Sequence, residues 1–135
     1  MRIAIDTNVL VRFLTHDDDA QYQQAYAIFQ HPRLYVATTV FLETEWVLRY
    51  SYTYDATEII QAFRMVLGLP NIEAEDAGRL SNALTWHQSG MDFADALHLA
   101  SCQECSILYT FDREFVKKGQ QNAGVCSVKE LGKNA

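Results

Sequence analysis

Short apolar runs alternate along the chain with stretches in which apolar residues recur every three or four positions, the signature of strands interleaved with helices. Arg2 to Asp6 reads as a first strand, Val9 to Leu14 as a short helix, and His16-Asp17-Asp18-Asp19 as an acidic turn. Tyr22, Ala25, Tyr26 and Phe29 then fall at i, i+3, i+4 and i+7 of a helix ending near Pro32. Leu34 to Ala37 predicts a second strand. Thr38 or Thr39 stands where a side-chain oxygen caps the next helix, which runs through Glu43 to about Tyr50. Asp55-Ala56-Thr57-Glu58 has capping-box spacing and opens a helix to about Leu67, where Gly68 and Pro70 stop it.

Ile72 to Ala74 predicts a third strand. A helix with Ala77, Leu80, Leu84 and His87 on one face follows, with Gly90 as its C-cap. Asp92 caps a helix from Phe93 to about Cys105, and Ser106 to Thr110 reads as a buried fourth strand. A short helix spans Arg113 to Lys118, Gly119 to Gly124 is polar and loop-like, and Val125 to Val128 is a weakly marked fifth strand. Alternating strands and helices imply crossover connections and a mainly parallel sheet covered on both faces. The expectation is an α/β fold, a three-layer α/β/α sandwich with about five mainly parallel strands, in one domain over residues 1–135.

Composition supports a packed domain, with 49% apolar and 21% charged residues and only six Gly and two Pro among 135 residues. No apolar stretch approaches the roughly 20 residues of a membrane span. The N-terminus turns acidic at Asp6 and lacks an apolar leader core, so the expected location is cytoplasmic. Eleven Lys and Arg against 17 Asp and Glu leave a net charge of −6, the wrong sign for holding nucleic acid by phosphate neutralisation alone. Three cysteines in a chain without an export signal argue against a disulfide framework, and Cys102 and Cys105 read as small residues near a helix end.

Acids punctuate the strand ends. In parallel α/β sheets the loops at the carboxyl ends of strands build the site. Asp6 follows the first strand, Asp112 follows the fourth, Glu43 lies early in the helix after the second, and Asp95 lies in the first turn of the helix leading into the fourth. Carboxylates sharing a pocket repel one another unless protons or a cation intervene. Ligation by oxygen alone favours Mg²⁺ or Mn²⁺ over Zn²⁺, and such an ion also supplies the positive charge that a polyanionic substrate needs. Other acids have plainer readings: Asp92 as a helix cap, Asp17 to Asp19 as a solvated run, Glu45 and Glu114 as solvent-facing residues, with Glu114 close enough to Asp112 to stay a reserve candidate. Asn8 and Thr110 are placed to orient a water or hold a carboxylate rotamer. Arg12, Arg49, Arg113, Lys117 and Lys118 are the candidates for holding a nucleic-acid backbone. Tyr22, Tyr26, Phe29, Phe41 and Trp46 read as core or dimer-interface aromatics.

Asp6-Thr7-Asn8-Val9-Leu10, Glu43 before Trp46-Val47-Leu48, Asp92-Phe93-Ala94-Asp95-Ala96-Leu97 and Thr110-Phe111-Asp112 occur in this order at suitable spacing. That four-part pattern, from Arg2 to about Val128, resembles the PIN domain, and most closely the VapC-type toxins of bacterial toxin–antitoxin pairs. The resemblance implies a parallel sheet between helices, Asp6, Glu43, Asp95 and Asp112 as the catalytic, metal-holding quartet, and Thr7, Asn8 and Thr110 as supporting residues. It implies Mg²⁺- or Mn²⁺-dependent endoribonuclease activity, a homodimer, and a small antitoxin protein as partner. The alternatives are a metal-dependent DNA nuclease or phosphohydrolase on the same acids, and a non-catalytic antitoxin-binding dimer. A phosphatase with an Asp-x-Asp nucleophile loop is disfavoured, because Asn8 stands where its second Asp belongs.

Overall fold

The computed structural model describes residues 1–122 and 126–132 as two compact units, Met1–Ala77 and Gly78–Ala135. In the first, β1 (Ile3–Ala4), α1 (Thr7–Thr15), α2 (Asp19–Ile28), β2 (Leu34–Val36), α3 (Thr38–Ser51), α4 (Ala56–Leu67) and β3 (Ile72–Ala74) follow in that order. The strands pair in parallel as β1-β2-β3, with Ile3 opposite Leu34 and Leu34 opposite Ile72. Asp18 caps α2 through Gln21 N–H at 3.0 Å, and Asp55 and Glu58 close the expected capping box on α4. Leu10, Leu34, Phe41, Leu48, Ile59 and Phe63 are buried in this unit, with the Phe41 and Phe63 rings edge to face at 5.2 Å. Burying such side chains contributes roughly 1.5–3 kcal/mol each, which is what holds these short strands in place.

Neither Thr38 nor Thr39 caps α3. Its N-cap is Ala37, which has no side-chain oxygen to offer, and the orphan Thr38 N–H donates instead to Glu75 Oε1 at 3.0 Å. Glu75 reaches that helix end because its own N–H extends the β2–β3 ladder onto Val36 O at 3.0 Å. Phe29 and Phe41 are buried as expected. Trp46 and Tyr26 are not core residues, for they lie 55% and 48% exposed on α3 and α2.

The second unit holds nearly all of α5 (Ala77–Gln88), then α6 (Phe93–Ser101), β4 (Ile107–Thr110), α7 (Arg113–Gln121) and β5 (Ser127–Glu130). Gly90 follows α5 at φ +108°, a conformation that Gly adopts without a Cβ penalty. α6 ends a turn earlier than the sequence predicts. There the Ser101 hydroxyl donates to Leu97 O, Gln103 Nε2 donates to Leu99 O, and a Cys105 N–H to Cys102 O turn replaces the last helical turn. β4 is not buried, since its residues alternate between exposed and half-buried. Gly119 is no loop residue but part of α7. A Cβ there would stand 2.5 Å from Val128 Cγ2, so glycine is what lets the helix lie this close to β5. Val125, the expected start of the fifth strand, lies outside the described residues.

Every described strand pairing is parallel and helices connect the strands, so the class is α/β as expected. The hydrogen-bonded ladders, however, are one of three strands and one of two rather than a single sheet of about five. Strands of two to four residues offer few rungs on either edge, and each ladder closes within its own unit.

Candidate active site

In the first unit, β1 leads through Ile5 to Asp6, whose extended backbone lets its carboxylate turn back and accept the Thr7 N–H at 2.7 Å as the N-cap of α1. Thr7 is buried, and its hydroxyl donates to Glu43 Oε1 in the second turn of α3. One small residue therefore ties both acids, its amide holding Asp6 and its hydroxyl holding Glu43. Both carboxylates stay exposed, with oxygens left for other partners. α1 packs on α3, which brings Thr7 within reach of Glu43. Asn8 is exposed on the first turn of α1.

In the second unit, Asp92 caps α6 by accepting the Asp95 N–H at 3.2 Å. Asp112 caps α7, its Oδ1 accepting from Glu114 N–H at 2.9 Å and Phe115 N–H at 3.2 Å. The Asp112 N–H in turn donates to Thr110 Oγ1 at 3.0 Å, so Thr110 fixes the turn that presents the acid. Asp95 is half-buried, and its carboxyl is pushed above the usual aspartate range by burial first, then by the charges of Asp92 and Asp112, with His98 opposing. Asp92 is thus both the expected cap and a neighbour in the acidic group.

The structure accordingly ties Asp6 to Glu43 and couples Asp95 to Asp112, one pair in each unit. Among the described residues, none of these four acids forms a salt bridge with Lys or Arg, whereas Asp17, Glu45, Glu73 and Glu130 all do. No three His, Cys, Asp or Glu side chains among the described residues form a ready-made metal cage. The donors present are carboxylate, hydroxyl and amide oxygens, the set that suits a hard divalent cation.

Several other residues have duties that the sequence did not reveal. Glu45, expected in solvent, is 2% exposed and accepts from Arg49 Nε at 2.7 Å and Nη2 at 3.2 Å. Its i,i+4 spacing to Arg49 was the available signal. Asp17 is the centre of a network rather than a free turn residue. The Tyr52 hydroxyl at 2.7 Å, Arg12 at 2.9 Å and Thr15 at 3.0 Å all donate to it, and the Tyr52 bond is the largest cause of its pKa falling to about 2. Of the candidate backbone-holding cations, Arg12 and Arg49 are therefore engaged within the fold. Arg113 is 85% exposed beside Glu130 at 3.4 Å, and Lys117 is exposed on α7. Glu114 and His98 are exposed.

Parallel strands joined by helices, with Asp6 and Asp112 just past β1 and β4, describe an α/β fold. Residues 3–120 match the PIN domain family, and the chain belongs to it; PIN domains are nucleases. Among solved structures, the chain is similar to Mycobacterium tuberculosis VapC20, described as a sarcin-ricin loop cleaving toxin. The identity is 19% over 86% of this chain and 94% of that chain, with a TM-score of 0.42. No curated protein matches the chain in sequence. No helix among the described residues is long and apolar enough to cross a membrane.

Proposed function

We propose that this chain is a Mg²⁺- or Mn²⁺-dependent endoribonuclease acting in the cytoplasm as the toxin of a VapBC-type pair, working as one domain over residues 1–135, as a homodimer held in check by a small antitoxin. The observation that carries the reading is the pairing of the acids: Thr7 bonds both Asp6 and Glu43, the charges of Asp92 and Asp112 act on Asp95, and none of Asp6, Glu43, Asp95 and Asp112 forms a salt bridge among the described residues. Uncompensated carboxylates near one another cost stability, and a fold tolerates them where a cation or a substrate repays the cost.

When bound, a divalent cation acidifies a water and stabilises the departing oxygen. The chain's own groups do the positioning. Thr7 locks the rotamers of Asp6 and Glu43, and Thr110 sets the turn that presents Asp112. Asn8 is exposed, with its amide placed to orient a water, and Arg113 and Lys117 are exposed cations on α7 for the RNA backbone. Hydrolysis joins a water oxygen to phosphorus, breaks the bond to O3′ and delivers a proton to that oxygen, leaving 5′-phosphate and 3′-hydroxyl ends. Such chemistry needs no imidazole pair and no 2′-hydroxyl attack.

Expression in a bacterial host tests this reading. The parent is expected to arrest growth and to yield internal RNA fragments bearing 5′-phosphates, while Asp6→Asn and Asp95→Asn accumulate as folded protein without arrest. Equal toxicity of the folded variants, or fragmentation of DNA with RNA intact, overturns it.

A further inference from the structure

Helices α1 and α2 leave a solvent-open groove of about 590 Å³ between them, within the range of sites that hold one small ligand. Its lining pairs apolar side chains, Val9, Ala25 and Ile28, with three neutral side-chain amides, Asn8, Gln21 and Gln24. Among the described residues these amides are not spent on partners elsewhere in the fold. The charged residue in the lining is Arg12, and its guanidinium is already held by Asp17 and by Tyr52 Oη at 3.0 Å. A pocket of this kind selects a flat, uncharged ligand with hydrogen-bonding edges and does not select a phosphate.

A nucleobase has that chemistry. Its faces are buried by aliphatic contacts, and an Asn or Gln amide both donates to and accepts from a base edge. Proteins that read RNA by sequence take unstacked bases of single strands into such pockets. Asn8 joins the pocket to the candidate site, for it follows Asp6 and Thr7 directly on the first turn of α1. We propose that the pocket between α1 and α2 seats one base of the RNA strand beside the scissile phosphate, with Gln21 and Gln24 setting which base is accepted. This rests on the ribonuclease reading above.

Two measurements on the full-length protein test it. The first is amide NMR with the four ribonucleoside 5′-monophosphates as probes, which needs no catalysis. One nucleotide is expected to bind better than the rest and to shift the Gln21 and Gln24 side-chain signals. The second maps cleavage positions in RNA. Gln24→Leu and Ala27→Trp, which fills the pocket from an exposed lining position, are expected to flatten the base preference next to the cut. They should raise KM by about tenfold or more while kcat moves less than about threefold. Melting curves confirm that each variant is folded. Absence of shifts at Gln21 and Gln24 with all four nucleotides overturns the proposal, as does an unchanged base preference in both folded variants. Shifts at these amides from a peptide or from self-association, with none from nucleotides, overturn it equally. A parent that binds a nucleotide here yet leaves RNA intact contradicts the ribonuclease reading and leaves the base pocket standing.

Discussion

Replacing Thr7 by Val keeps the buried, β-branched shape but removes the hydroxyl that donates to Glu43. Groups that orient ligating carboxylates typically matter by 10–100-fold in activity or metal affinity. Thr7→Val is therefore expected to lower cleavage by about that factor with a melting temperature close to the parent's, and Thr7→Ser to retain most activity. Equal rates for Thr7→Val in a cleavage assay contradict the role given to this hydroxyl. Asp95 provides a second residue-level test, with a definite sign. Its native carboxyl titrates above the ordinary aspartate value, so the native state holds this proton more tightly than the unfolded chain does. In the absence of metal, its contribution to stability falls as pH rises through that raised value. At neutral pH in EDTA, Asp95→Asn is accordingly expected to melt no lower than the parent. Asp112→Ala, which loses two N-cap bonds to α7, is expected to cost about 0.5–2 kcal/mol, offset in part by relief of its repulsion with Asp95. Thermal melts across pH 4 to 8 check both, and a marked destabilisation of Asp95→Asn in EDTA would show the acid to be structural.

Elements whose signals are local were legible in the sequence, and elements set by distant partners were not. The capping box from Asp55 to Glu58 and the stop at Gly68 lie within a few residues of the helix they bound, and α4 spans Ala56–Leu67 as expected. α3 is capped by Glu75, 37 positions away, which no local pattern announces. Glu43 and Glu45 show the same limit at the site: two residues apart on one helix, one is exposed and the other buried against Arg49. Asp6 and Asp112 stand out in the sequence because each comes just after an apolar strand, whereas Glu43 and Asp95 lie within helices. The tie through Thr7 depends on α1 meeting α3, which the spacing does not encode. Gly119 reads as a loop residue in sequence because glycine disfavours helix interiors, yet contact with Val128 places it inside α7. Gly119→Ala is expected to destabilise by about 1–3 kcal/mol, and Val128→Ala in the same chain to recover part of that loss by removing the methyl groups the new Cβ meets. Denaturant unfolding of the two single variants and the double variant measures the coupling, and additive costs contradict the close approach.

For the molecule as a whole, the net charge of −6 bears directly on what the chain can bind. Among the described residues, Arg12, Arg33 and Arg49 are each hydrogen-bonded to a carboxylate within the fold. On the proposed reading, affinity for a polyanion comes largely from a cation held by the acids, and RNA binding is expected to depend on the divalent ion as well as on salt. This ties the whole-molecule electrostatics to the acid pairs of the two units, and one assay reads both. The decisive measurement is the initial rate of cleavage of an oligoribonucleotide by the parent and by Asp6→Asn, Glu43→Gln, Asp95→Asn and Asp112→Asn, in millimolar Mg²⁺ and in EDTA, with Glu114→Gln as the acidic control. The account predicts a Mg²⁺-dependent parent, losses of about a hundredfold or more in each of the four variants, and a control within about fivefold of the parent. Cleavage undiminished in EDTA, or four folded variants that cut as fast as the parent, would contradict it.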